Sequence, residues 1–276
     1  MDELPTVFVY DHCPFCVRVR LALGLKNVKF NLQFLANDDV ATPTSLVGKK
    51  ISPIFVSFQG HAVFTHRSTL LTHLSPPSLN LPQKFPADNL VMGESLDIIK
   101  LTDADERFGP TGVILAATDR SDLKAWQKST QTLLRTLQRP RYVATGLMPE
   151  FQQLDGRHAF IKNHQLPPYE KEEWKGSKDV PGMNMADKLR LYAEAMANDP
   201  APLVEELNAK LVELDDIVVS EHHCSEGGLS YDDIDLWARL RSITIIKGVQ
   251  WPTKLRAYMD NLSALGDVPL YDEMAL

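Results

Sequence analysis

Cys13-Pro14-Phe15-Cys16 places two of the chain's three cysteines two residues apart, close behind a short apolar run. Thiols at that spacing have three uses. As half of a zinc site they would need two further ligands, and only His222, His223 and Cys224, in EHHCSEGG, offer any. As inert core residues they would simply be buried. As a redox dithiol they need a helix. The first cysteine must sit at its N-terminus, where unpaired N–H groups and the positive end of the dipole stabilise a thiolate. The second must lie one turn inside, placed to attack a mixed disulfide on the first. Pro14 suits that first turn, where no N–H is required of it. Arg18 and Arg20 either add to the positive field or lie solvated on the helix flank.

The elements around the pair decide among these uses. TVFVY, residues 6–10, is a β-branched and aromatic run suited to a buried strand. VRVRL alternates like a strand, but Val17, Leu21, Gly24 and Leu25 recur at helical spacing and Lys26-Asn27 offers a helix end, which predicts a helix. Phe30, Leu32 and Phe34 alternate with polar residues as a second strand. TPTSLVG makes a short helical turn, and ISPIF is a third strand. The cysteines thus stand at a strand-to-helix junction of a β-α-β opening, the thioredoxin-type position for a CxxC. Further on, LVMGES suggests a strand running into a helix over 95–108. From about Ser121 the chain is helical in pattern, with 3.6-residue periods over 122–142, 185–196, 202–218 and 232–249. A small α/β domain followed by an all-α domain is the expected layout. Its divisions are residues 1–109, a linker over 110–120, and 121–276.

Composition narrows the function. The chain has 276 residues, 44% hydrophobic and 24% charged, as in globular proteins, with no apolar run near the ~20 residues that span a bilayer. Its net charge is −7, yet residues 1–55 carry six Lys/Arg against five Asp/Glu, so the acidity lies downstream. An acidic chain without basic clusters is a poor partner for nucleic acid or an anionic membrane. MDELPTVFVYDH lacks the marks of a signal peptide. Three cysteines are too few for a disulfide framework, so a reducing, cytoplasmic setting is expected.

VYDHCPFCVRVRLALGLKN, NDDVATPTSLVGKKISPIF, GESLDII and LSYDDIDLWARLRSITIIKGVQWPTKLRAYMDN together resemble the bacterial glutaredoxin-2 family over nearly the whole chain. The resemblance implies the glutathione-transferase architecture: a thioredoxin-fold domain, then an all-α domain. It implies a glutathione-dependent thiol–disulfide oxidoreductase, with Cys13 as nucleophile, Cys16 as resolving thiol and glutathione as co-substrate. No permanently bound cofactor or metal is expected, and the partners would be oxidised or glutathionylated proteins met by a monomer. Pro14 and Phe15 (a ring where the family usually has tyrosine) would border the glutathione site. Ser52, in place of a valine, would pair its backbone with the cysteinyl part ahead of a cis Pro53, so that its changed side chain need not matter. Glu94 and Ser95 match the pair that holds the γ-glutamyl end, and a hydroxyl and free N–H groups at a helix start do suit a carboxylate. Helix capping alone is their other use. Lys50 matches a lysine for the glycine carboxylate, or is a solvated loop lysine. A transferase or non-catalytic glutathione-binding protein of the same superfold is the alternative, and a metal-cluster carrier a third, which Pro14 disfavours by family analogy.

Two features stand apart. Ser230 and Asp233 have capping-box spacing, with Leu229 and Ile234 placed as a hydrophobic staple, and this points to folding rather than chemistry. The HHC cluster reads as a solvated loop. Residues 56–83, rich in Pro and Ser, interrupt what would otherwise be a hairpin from Ile51–Phe55 through Lys84-Phe85 and a Pro86–Asn89 turn to Leu90-Val91-Met92. Val56-Ser57 can be encoded GTAAGT, a splice donor, and residues 74–83 as a pyrimidine-rich tract ending in CAG. The segment is therefore either a genuine loop, leaving the sheet near the glutathione site, or a translated intron. Comparison of transcripts with the gene separates the two.

Overall fold

A computed structural model of the chain describes residues 4–57 and 90–276. TVFV forms strand β1 (Thr6–Val9) and is followed by α1 (Pro14–Leu25), β2 (Asn31–Phe34), α2 (Ala41–Val47), β3 (Ile54–Ser57), β4 (Leu90–Gly93) and α3 (Ser95–Ala104). The sheet runs β2-β1-β3-β4, with β1 parallel to β2 and antiparallel to β3, and β3 antiparallel to β4. This is the thioredoxin-type sheet that the resemblance implied. Side chains alternate across it. Val7, Val9 and Phe55 feed the large core shared with the helices, while Phe8, Ile54 and Val56 pack on the other face with Leu46 and Val47 of α2.

The ambiguous VRVRL is helix. Every residue of α1 from Cys16 to Leu23 is buried, because α1 lies between α3 and two helices of the C-terminal half, α9 (Tyr231–Leu240) and α10 (Thr253–Gly266). A helix buried all round has no polar stripe, which is why its period was hard to see. It ends as its last residues suggested, with Asn27 in the left-handed region at φ 56°.

Val56 and Ser57, assigned to the insertion on sequence, belong to the sheet. They pair with Val91 and Leu90, and Val56 is fully buried, so strand character outlasts the ISPIF motif by two residues. The rest of the proposed insertion, and the Lys84–Asn89 hairpin residues, lie outside the described residues.

The C-terminal half comprises α4 (Ser121–Thr145), α5 (Leu154–Asn163), α6 (Lys171–Lys175), α7 (Met185–Ala197), α8 (Ala201–Ile217), α9 and α10. One helix was expected over 232–249. Instead α9 stops at Leu240 and a 3₁₀ turn covers Arg241–Ile245. The β-branched run there favours departure from the α-helix, and Thr244 bonds back to the Arg241 carbonyl at 2.8 Å. The Ser230–Asp233 capping box is formed, with the Ser230 N–H donating to Asp233 Oδ2 at 2.8 Å. Asp233 also accepts from the Cys224 N–H at 2.6 Å. No helix among the described residues is long and apolar enough to cross a membrane.

The two halves meet without side chains at one point. A Cβ on Gly24 of α1 would lie 1.8 Å from the carbonyl oxygen of Gly266 in α10. Only glycine lets the backbones approach that closely.

Candidate active site

Cys13 is the N-cap of α1 and Pro14 its first helical residue. All three cysteines are free thiols. Cys13 is half-buried, whereas Cys16, one turn in, is fully buried. Hydrogen bonding from the Cys16 thiol is the largest influence on Cys13. Burial opposes it, and His12 with the N–H groups of Cys16 and Phe15 act in the same direction, so that the Cys13 pKa falls to about 6. Burial and the neighbouring Cys13 push Cys16 well above the ordinary thiol range. The pair is split into a nucleophile and a protonated reserve. Cys13 alkylation by iodoacetamide should therefore rise with pH to half its maximum near about 6, not near the free-thiol value of about 8.5. In Cys16→Ala, which removes the principal donor, the midpoint should move up. An unshifted midpoint would mean that the helix terminus alone sets the value.

Ser52 does more than its backbone role implied. Its hydroxyl lies 3.0 Å from Cys16 Sγ and donates to the Phe8 carbonyl at 3.1 Å, and the Tyr10 N–H reaches the same sulfur at 3.4 Å. The Ser52–Pro53 peptide bond is cis, and Pro53 is buried. The valine-to-serine change thus supplies a polar partner to the buried thiol, one that lowers the cost of charging it.

The loop before the nucleophile is fastened by the other half of the molecule. Asp11 is buried between Arg20 and Arg241, bonding Arg241 Nη2 at 3.1 Å. Arg241 Nη1 and the Tyr271 hydroxyl both donate to the Asp11 carbonyl, at 2.8 and 2.7 Å. Burial would raise the Asp11 carboxyl, but the two guanidinium groups outweigh it and hold the pKa at about 2. The next residue, His12, is tied to the buried Glu150: Glu150 Oε1 accepts from the His12 N–H at 2.8 Å and lies 2.6 Å from Nδ1. The Glu150 carbonyl accepts from Asn37 at 3.1 Å, and the Asn37 carbonyl from Lys50 Nζ at 2.5 Å. Sequence reasoning missed this set. Asp11 and His12 stood beside the CxxC with no role assigned, and Glu150 sits in a short 3₁₀ turn with no periodic signal.

The remaining site residues fall as follows. Phe15 is 49% exposed, with the Arg18 guanidinium 4.6 Å over its ring, and Pro14 is half-buried. Glu94 precedes α3 at φ 66°, a left-handed conformation unusual for a side chain of its size. It makes no capping bond, and its carboxylate is exposed, 3.9 Å from Lys49. Ser95, the first residue of α3, is buried. Lys50 is exposed, with its ammonium donating to the Asn37 carbonyl, and the lysine beside Glu94 is Lys49. Glu94 thus leads into α3 through a strained backbone without a side-chain cap.

By register these residues gather at one end of the sheet, where β1 leads out towards Cys13, β3 enters behind Pro53 and β4 leaves towards Glu94. Residues 180–275 match the family model described as Glutaredoxin 2, C terminal domain. Glutaredoxin 2 of Escherichia coli (strain K12) is 28% identical over 271 residues, 98% of this chain and 99% of that one. A crystal structure of glutaredoxin 2 from Salmonella typhimurium in complex with glutathione aligns over all of both chains, at 26% identity and a TM-score of 0.69. The chain is similar to glutaredoxin 2 along its whole length.

In this glutaredoxin 2-like chain the two arginines of α1 are structural. Neither is solvated: Arg18 pairs with Asp235 of α9 and Arg20 with Asp11, both buried. Cys224 is likewise no surface residue, since its side chain is fully buried and burial pushes its pKa up. Among the described residues no group of His, Cys, Asp and Glu is arranged to hold a metal ion. A cleft of about 460 Å³ opens beside Cys13, between α1 and the helical half, walled by Phe15, Trp126 and Tyr142 among others.

Proposed function

We propose that the protein is a glutathione-dependent thiol–disulfide oxidoreductase that reduces glutathione mixed disulfides or protein disulfides through Cys13 and Cys16. The observation that carries this reading is the unequal dithiol: a thiolate at the helix start beside a buried, protonated thiol one turn away. A glutathione conjugating enzyme has no use for the second sulfur. The glutathione bound to the Salmonella typhimurium glutaredoxin 2 supports the choice of co-substrate.

In the mechanism, Cys13 Sγ⁻ attacks a disulfide sulfur in line with the S–S bond, and the other sulfur leaves as a thiolate. With a glutathione mixed disulfide the product is glutathionylated Cys13. A second glutathione thiolate then attacks the glutathione sulfur, releasing glutathione disulfide and restoring Cys13. With a protein disulfide, Cys16 attacks Cys13 Sγ of the mixed disulfide instead. The Cys13–Cys16 disulfide forms, and the client's second sulfur leaves and takes up the proton that Cys16 gives up. Two glutathiones then reduce the enzyme disulfide, leaving as glutathione disulfide. The Tyr10 N–H faces the Cys16 sulfur, and the Ser52 hydroxyl stabilises the developing charge by turning its proton from the Phe8 carbonyl to the sulfur. Glutathione is held by the Ser52 backbone ahead of Pro53, by Glu94 and Ser95 at its γ-glutamyl end, and by Lys50 at its glycine end, with Pro14 and Phe15 alongside. We place it as a monomer in the cytoplasm, in keeping with three cysteines, too few for a disulfide framework.

The test is a glutathione-dependent assay on a small mixed disulfide, run beside conjugation of an aromatic electrophile. Turnover in the first and none in the second is expected, and the reverse would make the chain a transferase. In the first assay Glu94→Gln with Ser95→Ala should raise KM for glutathione, roughly tenfold, more than it lowers kcat, because contacts remote from the sulfur bind ground and transition states alike. A loss of kcat at unchanged KM would move the tripeptide elsewhere.

A further inference from the structure

The cleft beside Cys13 has a charge pattern opposite to that of the chain. The molecule carries −7, yet among its described residues the cleft is lined by Arg135, Arg139, Arg239, His12 and His164, and by no aspartate or glutamate. The partners of these groups leave positive charge unspent. Arg239 shares Asp235, at 3.2 Å, with Arg18, and His12 is taken by Glu150. His164 accepts no such partner and is held neutral, its pKa driven to about 3 by burial and by His12. Arg139 gives one N–H to the Gln165 carbonyl and meets no carboxylate among the described residues. Arg135 has neither an acidic partner nor a hydrogen-bond acceptor among the described residues. The two stand one turn apart on α4, so their like charges face the same way and repel. Burial, reinforced by Arg135, lowers the Arg139 pKa.

Two guanidinium groups left uncompensated in a recess are a receptor for carboxylates. We infer that this cleft receives the leaving half of the disulfide substrate, and that Arg135 and Arg139 select a leaving half bearing carboxylates near its sulfur. The inference rests on the oxidoreductase reading. Cys13 Sγ⁻ forms a bond to the glutathione sulfur, the S–S bond breaks, and the bonding pair departs on the second sulfur as a thiolate in the cleft. That thiolate takes its proton from water. Before departure the arginines hold its carboxylates, and as it departs they face the additional negative charge, so binding and leaving are both favoured.

The experiment uses three mixed disulfides of glutathione: with mercaptosuccinate (anionic), 2-mercaptoethanol (neutral) and cysteamine (cationic). Their kcat/KM should fall in that order, with roughly tenfold or more between first and last at low salt, narrowing as salt is added. Arg135→Gln, which breaks no bond of the structure, should shrink the ratio of the anionic to the cationic substrate to about threefold, and Arg135→Glu should invert the order. Arg139→Gln should act in the same direction. Two more substrates distinguish the source of the carboxylates in use. A first half-reaction, glutathionylation of Cys13, that is fastest with glutathione disulfide assigns the cleft to a second glutathionyl unit, and one that is fastest with a glutathionylated Glu-Glu-Cys-Glu-Glu peptide assigns it to an acidic protein segment. Equal kcat/KM for the three small disulfides, or a preference that survives Arg135→Glu, overturns the inference while leaving the oxidoreductase intact. Failure to turn over any of them overturns both.

Discussion

Cys13→Ser should reduce glutathione-dependent turnover of a mixed disulfide by roughly a thousandfold or more, to the uncatalysed rate. A serine hydroxyl at the start of α1 cannot form the sulfur–sulfur bond, and no other residue can replace it, since Cys16 and Cys224 are buried and their thiols held protonated. Cys16→Ser should behave differently. It should retain turnover of glutathione mixed disulfides, where glutathione itself resolves the intermediate, and lose reduction of protein disulfides, where the second sulfur is needed. Steady-state assays on one substrate of each kind read both variants. Full activity in Cys13→Ser would remove the nucleophile from the scheme, and equal losses on both substrates in Cys16→Ser would make that residue structural.

Asp11→Asn should produce the largest loss of stability of any substitution near the thiols. The carboxylate neutralises two buried guanidinium groups, Arg20 and Arg241, and the amide would leave both uncompensated. Removing one member of a buried ion cluster costs about 3–5 kcal/mol, which for a chain of this size lowers the melting temperature by on the order of 10 °C. The pH dependence has a definite sign. The folded carboxyl titrates at about 2, below its unfolded value of about 3.9. Its contribution is therefore complete above the unfolded value and is lost as pH falls through 4 towards 2. Thermal melts of the two proteins should lie far apart at pH 7 and converge on acidification. Coincident melts at pH 7 would show that the arginines find other partners.

Local signals were read from the sequence and distant ones were not. The strand TVFV, the CxxC at the next helix start, the left-handed Asn27 and the Ser230–Asp233 capping box each depend on residues within a few positions of one another. Arg18 and Arg20 looked like charges on a helix flank because nothing in VRVRL reveals that α1 is enclosed. Their burial depends on acids elsewhere, in one case 217 residues away. Ser52 looked like a neutral replacement for valine because only the fold brings Cys16, 36 residues distant, to 3.0 Å from its hydroxyl. Glu150 had no pattern to betray it. Its importance lies wholly in meeting His12 across 138 residues of chain. The expected end of the third strand at Phe55 failed for a simpler reason, that Val56 is as strand-like as its predecessors.

The crossing of α1 and α10 at Gly24 and Gly266 has a mechanical meaning. Where two helices touch through side chains, rotamers can yield and the helices can slide; where the backbones themselves touch, nothing between them can give. The helix that carries the nucleophile at its tip is therefore an axle common to both lobes. A larger residue at either glycine would push the lobes apart along α1, and with them the walls of the mouth beside Cys13. The client's disulfide must protrude far enough to meet a half-buried thiol in that cleft, so reach sorts the proteins this thiol can touch.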